Sequence, residues 1–284
     1  MINMKIGITG ATGQLGRLVI EKLKSRVNPE NIVALVRSPE KAVDLHVEVR
    51  AFDYSKSKEL SNALIGIDYL LLISGSEVGQ RFIQHKNVIE AARKAGVNWI
   101  VYTSLLHADT SSLSLATEHR QTEELLKSSG IPYTVLRNGW YTENYTGSIP
   151  GALVAGSLIG SAGEGKIASA SREDYAAAAA VVLSGEGHVG QVYELAGDTA
   201  YTLQDLAEEI SRQTGKDIFY KNLSEDEYAE SLRSAGLPEG LASAIAGWDV
   251  SASRGDLFDD GHQLSRLIGH PTTSLTNSVR RVLR

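Results

Sequence analysis

The sequence contains no cysteine, which excludes disulfide scaffolds, cysteine-ligated zinc sites and thiol nucleophiles. It also lacks an apolar run approaching the ~18 to 20 residues that span a membrane, the longest candidate being the alanine-rich stretch 176–183. Basic residues are outnumbered by acidic ones, 28 against 34, for a formal net charge of −6. This balance disfavours broad binding to nucleic acid or acidic membranes. We therefore expect a soluble protein with neither nucleic acid nor membrane as a partner.

Targeting and metal-binding signals are also missing. Residues 1–6 have no long apolar region or cleavage site, so a secretory signal is not expected and a cytoplasmic location follows by default. The seven histidines lack metal-ligand spacing, and no metal site is predicted. The oligomeric state is left open between monomer and homodimer.

Short aliphatic segments alternate with amphipathic helical patterns through the first half of the chain. Such alternation is typical of repeated βαβ units and a parallel sheet. Thr202 is predicted to cap a helix over 202–213, and Ser224-Glu-Asp-Glu227 matches a capping box that opens a helical C-terminal region. The predicted strands are 4–9, 32–36, 47–52, 69–73, 99–103, 133–136 and 191–195.

The predicted fold class is α/β, a doubly wound parallel-sheet Rossmann fold with a smaller, mainly helical C-terminal lobe. The length of the chain, 284 residues, suits one large domain or a domain with a smaller companion. We assign 1–150 to the Rossmann core, with 168–198 returning to it. Residues 199–284 form the predicted substrate-side lobe, to which 151–167 contribute. A second glycine cluster at 160–166 has no strand-to-helix frame and is predicted to be a hairpin or loop.

A glycine-rich loop follows the first predicted strand and opens the first helix. It reads Thr9-Gly10-Ala11-Thr12-Gly13-Gln14-Leu15-Gly16, and the strand–turn–helix context is that of a dinucleotide fingerprint. Gly10 suits the tight turn, Gly13 lets the backbone approach phosphate, and Gly16 permits close packing of helix on strand. We predict that Gly10 to Leu15 bind the pyrophosphate.

Cofactor preference is read from the end of the second strand. NAD enzymes commonly place an acid there, whereas an arginine can bind the 2′-phosphate of NADP bidentately. Arg37 occupies this position and predicts NADPH. Thr12 and Lys41 are possible helpers, although a solvated charge is the simpler interpretation of Lys41. Asp53 follows the third strand, where contact with the adenine and a role as a helix cap are equally plausible.

Small polar residues end the fourth and fifth predicted strands. Ligands of open parallel sheets bind beyond the carboxyl ends of the strands, so Ser74, Gly75, Ser76, Thr103 and Ser104 are expected to line the cofactor groove. A structural turn is the alternative for Ser76.

The segment 138–145 follows the sixth predicted strand and contains Trp140, Tyr141 and Tyr145. The whole chain has only 3 Trp and 11 Tyr residues. Flat rings can stack on a planar acceptor. Tyr141 is the preferred substrate contact, and Asn138 is expected to hydrogen-bond the nicotinamide amide or an acceptor oxygen. Packing between lobes is the alternative for Trp140 and Tyr145, and the turn Leu105-Leu106-His107 is the alternative acceptor site.

These motifs resemble the NmrA-like atypical short-chain dehydrogenases, and within them the bacterial NAD(P)H:quinone oxidoreductase and triphenylmethane reductase branches. The resemblance runs nearly end to end. It is carried by Gly10-Ala-Thr-Gly13-Gln-Leu-Gly16, Leu-Leu-Ile-Ser74, Tyr102-Thr-Ser-Leu-Leu-His-Ala108, Leu136-Arg-Asn-Gly-Trp-Tyr-Thr-Glu-Asn-Tyr145, 166–176 and Leu267-Ile-Gly-His270-Pro-Thr.

The resemblance implies an NADPH-dependent reductase that transfers a hydride to quinones. It makes Gly10 to Leu15 the phosphate loop, Arg37 the 2′-phosphate ligand and Ser74 to Ser76 the wall beside the ribose and nicotinamide. Asn138, Gly139, Trp140, Tyr141 and Glu143 would close over the nicotinamide. Asn138 and Tyr141 are the predicted catalytic residues.

One departure from typical short-chain dehydrogenases bears on the chemistry. Those enzymes use a Tyr-x-x-x-Lys pair to donate a proton to a carbonyl. In this sequence the same spacing occurs only at Tyr54 and Lys58, after the third strand, and we expect no catalytic role for residues at that position. His119 and Glu123 stand after the fifth strand and share a helix face. We interpret them as a solvated pair, with a proton relay as the alternative. A quinone tolerates a missing acid because its reduced product is a stable aromatic hydroquinonate.

Two other functions stay open. A redox-sensing regulator that holds NADP without turnover would also lack the acid. An extended-type epimerase or carbonyl reductase is weakened by the missing pair. Consumption of NADPH upon addition of a quinone distinguishes turnover from sensing.

Overall fold

The computed structural model describes residues 4–284. The strands within this range are β1 (Ile6–Thr9), β2 (Ile32–Val36), β3 (Glu48–Ala51), β4 (Tyr69–Leu72), β5 (Trp99–Leu105), β6 (Tyr133–Asn138), β7 (Ser157–Gly160), β8 (Val192–Leu195) and β9 (Phe219–Asn222). The helices are α1 (Gln14–Lys24), α2 (Ser57–Ala63), α3 (Arg81–Ala95), α4 (Ala116–Ser128), α5 (Thr142–Thr146), α6 (Ile149–Ala155), α7 (Arg172–Ser184), α8 (Leu203–Thr214), α9 (Glu225–Ser234), α10 (Glu239–Ser253), α11 (Gln263–Ile268) and α12 (Leu275–Val282). Two 3₁₀ helices, Pro29–Asn31 and Pro39–Leu45, flank β2.

Seven strands form one sheet in the order β3-β2-β1-β4-β5-β6-β8. The pairs from β3 to β6 are all parallel. The order reverses at β1, with β2 on one side and β4 on the other, and this is the switch point at which doubly wound sheets bind ligands. The predicted α/β Rossmann fold is confirmed.

The central strands are short aliphatic runs because helices cover them. Every residue of β2 and β5 is buried, as expected for strands with both faces covered. Helices α2 and α3 pack together, and both contribute to a core that includes Leu60 and Val88. On α1 and α7, which also pack together, Lys22 and Glu173 form an ion pair of 2.8 Å.

The described chain divides into two compact units. The first comprises residues up to Asp109, Thr117–Asn138 and Arg172–Tyr193, and the second comprises Thr110–Ala116, Gly139–Ser171 and Glu194–Arg284. The predicted boundary at residue 150 lies inside the second unit. The role of the second unit in substrate binding stays a prediction.

The second unit contains a small parallel sheet that sequence analysis missed. Strands β7 and β9 pair in parallel, with Gly160 opposite Asn222. The glycine cluster 160–166 is therefore not a hairpin: β7 ends at Gly160 and residues 161–166 form a loop. The capping predictions are confirmed, because both Thr202 and Ser224 make reciprocal capping boxes at α8 and α9. Of the helices found in residues 4–284, none has the length and hydropathy needed to cross a bilayer.

Candidate functional site

A groove of about 660 Å³ opens in the first unit at the carboxyl ends of its central strands. It is lined by four segments that sequence analysis singled out, namely the glycine loop and the residues at the ends of β2, β3 and β4. The lining residues are Gly10, Thr12, Gly13, Gln14, Leu15, Gly16, Arg17, Leu35, Val36, Arg37, Ser38, Lys41, Phe52, Asp53, Tyr54, Ile73, Ser74, Gly75, Ser76, Glu77, Gln84 and Arg172. The structure thus brings the glycine loop, Arg37, Asp53 and the loop after β4 together around one cavity.

The glycine loop turns sharply between β1 and α1. Gly10 has a φ of +58°, a conformation that is unstrained for glycine, and its carbonyl accepts a hydrogen bond of 2.9 Å from the amide of Gly13. A Cβ atom built on Gly16 would lie 2.7 Å from the Cα of Ala11. Gly16 is therefore required where the helix passes over the loop, as the fingerprint predicts.

The N-terminus of α1 is available to an anion. Gly13 is the N-cap residue, and no side chain of the described chain caps this helix end. The first turn also carries no acidic residue. Unsatisfied amides together with the positive end of the helix dipole favour a phosphate at this position.

Positively charged side chains also line the groove. Arg37 and Lys41 line the groove, and Lys41 is exposed as well, so both interpretations of that residue remain compatible with the structure. Arg17 donates from Nη1 to Asp44 and from Nη2 to the carbonyl of Lys41, each at 2.6 Å. Arg17 thereby links α1 to the 3₁₀ helix after Arg37. Arg172 reaches the same groove from the start of α7.

Asp53 does not cap a helix. Its Oδ1 accepts hydrogen bonds from the amide of Ser55 at 3.0 Å and from the hydroxyl of Ser55 at 2.7 Å. The hydrogen bond from the Ser55 side chain lowers the pKa of Asp53, which keeps the group ionised at the rim of the groove. The N-cap of α2 is instead Lys56, so the alternative of a cap was wrong, and contact with adenine stays a prediction.

The wall formed by Ser74 and Gly75 is held from behind by buried side chains. The amide of Ser74 donates to Thr103 Oγ1 at 2.9 Å, and the amide of Gly75 donates to His85 Nε2 at 2.9 Å. Arg81 Nε donates to the carbonyl oxygen of Gly75 at 2.7 Å. Both backbone polar groups of Gly75 are therefore oriented by the protein.

These contacts specify the tautomer of His85. Because Nε2 accepts from a backbone amide, the ring proton lies on Nδ1, which is 3.0 Å from Thr122 Oγ1. Thr122 in turn donates to the carbonyl of Glu118 at 2.8 Å. Burial lowers the pKa of His85 to about 3, so the ring stays neutral. The Glu118 carboxylate accepts from the amides of Gly79 and Phe82 at the start of α3.

Some predicted cofactor residues do not line the groove. Ala11, Thr103, Ser104 and Asn138 are all buried. Thr103 positions Ser74, and the hydroxyl of Ser104 donates to a carboxylate oxygen of Glu123.

Tyr54 lines the groove, but its hydroxyl makes structural hydrogen bonds. Its hydroxyl is 2.5 Å from Thr9 Oγ1 and donates to the carbonyl oxygen of Ile73 at 2.8 Å. Burial raises the pKa of Tyr54 far above its ordinary value, which disfavours ionisation. Lys58 is exposed on α2.

The interpretation of His119 and Glu123 as a solvated pair was wrong. His119 is buried, and its Nδ1 lies 2.7 Å from the hydroxyl of Tyr102. Burial lowers the pKa of His119. Glu123 faces Arg137, with an Oε2 to Nη2 distance of 2.8 Å. His119 thus pairs with the buried Tyr102, and Glu123 pairs with the partly buried Arg137.

Asn138 ends β6 opposite Leu105. Its side-chain oxygen Oδ1 is buried and has no hydrogen-bond partner within residues 4–284. A buried polar atom without a partner costs free energy, so each one calls for an explanation. The unpaired acceptor fits a ligand that supplies an N–H group, such as the carboxamide of a nicotinamide ring.

The residues that follow Asn138 belong to the second unit. The amide of Gly139 donates to the carbonyl of Leu195 at 2.7 Å. Tyr141 bridges to Ala170 and forms the N-cap of α5, where Glu143 lies in the first turn. The backbone of this segment is therefore held firmly inside the second unit, and its approach to a cofactor stays a prediction.

Two of its aromatic side chains pack within the second unit. The ring of Trp140 meets that of Trp248 edge to face, with centroids 5.6 Å apart. The hydroxyl of Tyr145 donates to Asp249 Oδ1 at 3.1 Å, and burial raises the pKa of Asp249. These contacts support a packing role for Trp140 and Tyr145, whereas Tyr141 is only partly buried.

Sequence reasoning missed several residues of the groove. Arg17 carried a usable signal, since it stands one residue after the glycine loop. Glu77, Gln84 and Arg172 carried none, because only the fold brings them to the carboxyl edge of the sheet.

A doubly wound sheet with this loop and this groove defines a dinucleotide-binding Rossmann protein. The family model described as NAD(P)H-binding matches residues 10–186. The chain belongs to this NAD(P)H-binding family.

Curated and solved relatives extend the comparison over the whole chain. Quinone oxidoreductase 2 of Escherichia coli (strain K12) is 60% identical over 277 residues, covering 96% of this chain and 97% of the relative. The crystal structure of the NADPH-dependent quinone oxidoreductase QOR2 from E. coli, complexed with NADPH, has a TM-score of 0.96 at 59% identity and covers 98% of this chain and 100% of that one. The Citrobacter sp. triphenylmethane reductase complexed with NADP(H) has a TM-score of 0.94 at 38% identity, with coverage of 98% and 100%. The resemblance drawn from the motifs is confirmed.

Proposed function

We propose that this protein is an NAD(P)H:quinone oxidoreductase that uses NADPH to reduce quinones by two electrons. The likeness to the E. coli quinone oxidoreductase, at 60% identity over nearly the full length, carries the proposal. The groove supports it independently, because its donors suit a dinucleotide. When bound, NADPH supplies the hydride.

The residues of the first unit would divide the cofactor among them. Gly10, Ala11, Thr12, Gly13, Gln14 and Leu15 would hold the pyrophosphate at the uncapped end of α1. Arg37 would bind the 2′-phosphate, and Asp53 the adenine edge. Ser74, Gly75, Ser76, Thr103 and Ser104 would form and support the wall beside the ribose.

The end of β6 and the residues after it would serve the reacting end. The unpaired Oδ1 of Asn138 would accept from the nicotinamide amide, which fixes the ring. Gly139, Trp140 and Glu143 would close this side, and Tyr141 would stack on the quinone. Orientation of this kind contributes ~7 to 11 kcal/mol in favourable cases, so a strong acid is not required.

Cellular setting is the remaining part of the proposal. We propose a cytoplasmic enzyme that acts as a monomer or a homodimer. Sedimentation of the purified protein distinguishes the two oligomeric states.

The test is consumption of NADPH, followed by its near-ultraviolet absorbance, upon addition of a quinone panel. We expect turnover with NADPH and a weaker response with NADH. Arg37→Ala should raise the KM for NADPH far more than that for NADH, since a charge-assisted hydrogen bond is worth roughly 1.5 to 3 kcal/mol. Tight NADPH binding without turnover on any quinone would favour the redox-sensing regulator instead.

The acceptor site is tested separately. Tyr141→Ala should lower kcat/KM for quinone while the Kd for NADPH stays within a few fold, and Tyr141→Phe, which keeps the ring, should retain most activity. Asn138→Ala should also lower kcat/KM for quinone. Wild-type quinone kinetics in both alanine variants would move the acceptor site toward the turn at Leu105-Leu106-His107.

A further inference from the structure

An ion pair lies at the rim of the groove beside the proposed 2′-phosphate site. Arg37 Nη1 is 3.1 Å from Glu77 Oε1, and both side chains line the groove. Arg37 follows β2, whereas Glu77 lies in the segment after β4. The pair therefore joins the two sides of the switch point.

The carboxylate of Glu77 is held in this direction by a second residue. Gln84 Nε2 donates to Glu77 Oε2 at 2.8 Å, and Gln84 is a buried residue of α3. One carboxylate oxygen thus contacts Gln84 while the other contacts Arg37. An anchored carboxylate competes for a guanidinium more effectively than a freely rotating one, because less side-chain entropy is lost.

We propose that Glu77 is a specificity-determining residue that weakens the preference for a 2′-phosphate over a 2′-hydroxyl by engaging Arg37. A bound 2′-phosphate needs the donors of Arg37, and Glu77 occupies one of them. A 2′-hydroxyl needs no such donor, so its binding leaves the ion pair intact. The inference rests on the proposed function, specifically on Arg37 facing the adenosine ribose.

Charge adds to the effect of competition. A phosphate beside Arg37 would lie close to the Glu77 carboxylate and be repelled by it. A ribose hydroxyl could instead donate to the carboxylate, which is the role of the acid after the second strand in NAD enzymes. Glu77 thus supplies, from the segment after β4, the carboxylate that the end of β2 lacks.

The experiment measures nucleotide binding without catalysis. Calorimetric Kd values of adenosine 2′,5′-bisphosphate and of 5′-AMP, which differ only by the 2′-phosphate, are compared for the wild type and Glu77→Gln. The glutamine keeps a carbonyl oxygen and an amide but loses the charge. We expect the affinity ratio in favour of the 2′-phosphate to rise roughly two- to fivefold, the range that an exposed ion pair supports, and the gain to shrink at high salt.

Two further proteins make the result specific. Glu90→Gln removes the same charge from the solvent face of α3, where Glu90 pairs with Lys86, and should leave the ratio unchanged. In an Arg37→Ala background, Glu77→Gln should change the ratio much less, because there is no guanidinium left to compete for.

The outcomes separate the inference from the proposed function. A ratio in Glu77→Gln equal to that in Glu90→Gln would overturn the inference while leaving NADPH binding in place. An equal rise with and without Arg37 would overturn competition for Arg37. A wild-type protein that binds neither nucleotide nor NADPH would overturn both the proposed function and the inference.

Discussion

Substitution of Gly16 tests how the phosphate loop depends on helix packing. A Cβ at this position would lie 2.7 Å from Ala11 Cα and 2.9 Å from the carbonyl carbon of Gly10, and it would be closer still to the carbonyl oxygen of Gly10. These are backbone atoms of a tight turn, which cannot rotate away as a flexible side chain would. In Gly16→Ala the start of α1 must therefore move away from the loop.

The expected loss of stability follows from two opposing effects. Overpacking of this kind costs about 1 to 3 kcal/mol, and rigid backbone neighbours place Gly16→Ala near the upper end. The higher helix propensity of alanine offsets about 1 kcal/mol. The net loss is about 2 kcal/mol, and for a chain of this size it lowers the Tm by roughly 4 to 8 °C.

NADPH binding should weaken more than stability alone would suggest. The loop amides that we propose to face the pyrophosphate would shift with the helix, and losing one hydrogen bond to a charged group costs roughly 1.5 to 3 kcal/mol. The Kd for NADPH, measured by calorimetry, should therefore rise about tenfold or more.

Gly240 provides the matched control for Gly16. It lies in α10, and no heavy atom of the described residues would come within 4 Å of its added Cβ, apart from its own helix backbone and chain neighbours. Gly240→Ala should raise stability by about 0.4 to 1 kcal/mol and leave the Kd unchanged. If Gly16→Ala had the same Tm as Gly240→Ala and bound NADPH with the Kd of the wild type, the close packing described for α1 would be refuted.

Four further substitutions test the groove wall, the Tyr54 and Lys58 pair, and a helix cap. Burial lowers the pKa of His85 from 6.5 to about 3. As the pH falls, the unfolded chain therefore takes up a proton at this residue before the folded protein does, and the free energy of unfolding decreases between about pH 6.5 and about pH 3 by up to ~1.4 kcal/mol per pH unit. Urea unfolding should show a shallower decrease with pH in His85→Gln, and equal slopes in the variant and the wild type would contradict this reasoning. Tyr54→Phe and Lys58→Ala should each keep kcat for quinone within about threefold of the wild-type value. Loss of turnover in either variant, with the protein still folded and able to bind NADPH, would indicate that the substituted residue is catalytic. Ser224→Ala removes the cap that pairs with Glu227 and should cost about 1 kcal/mol in thermal unfolding with no change in NADPH affinity.

Local chemistry made much of the first unit predictable. The strand at 32–36 was placed to the residue, because a β-strand covered on both faces must be an uninterrupted apolar run. The tight turn at Gly10 and the close packing of helix on strand at Gly16 could be predicted from the sequence, because only glycine tolerates those positions. The caps at Thr202 and Ser224 were likewise readable, since each is a hydrogen-bonding pattern completed within four residues.

Contacts between distant parts of the chain were decided only by the tertiary structure. Strand β9 pairs with β7 although the paired residues Ser157 and Phe219 are 62 positions apart in the sequence. Neither strand has a periodic pattern strong enough to predict the pairing. Asp53 stands where a helix cap was plausible, yet its side chain closes a turn onto Ser55. His119 looked like a surface residue until Tyr102 and burial defined its surroundings.

The same division holds for the groove. Sequence alone identified the residues that we predict to bind phosphate, because the glycine loop and Arg37 would act through backbone shape and charge, which a short segment of sequence reveals. Tertiary structure alone decided what faces them: Glu77 meets Arg37 across 40 positions, and His85 reaches Gly75 from the next helix. The physical reason is that a hydrogen bond or an ion pair depends on distance in space, and the sheet order places β2 and β4 on either side of β1.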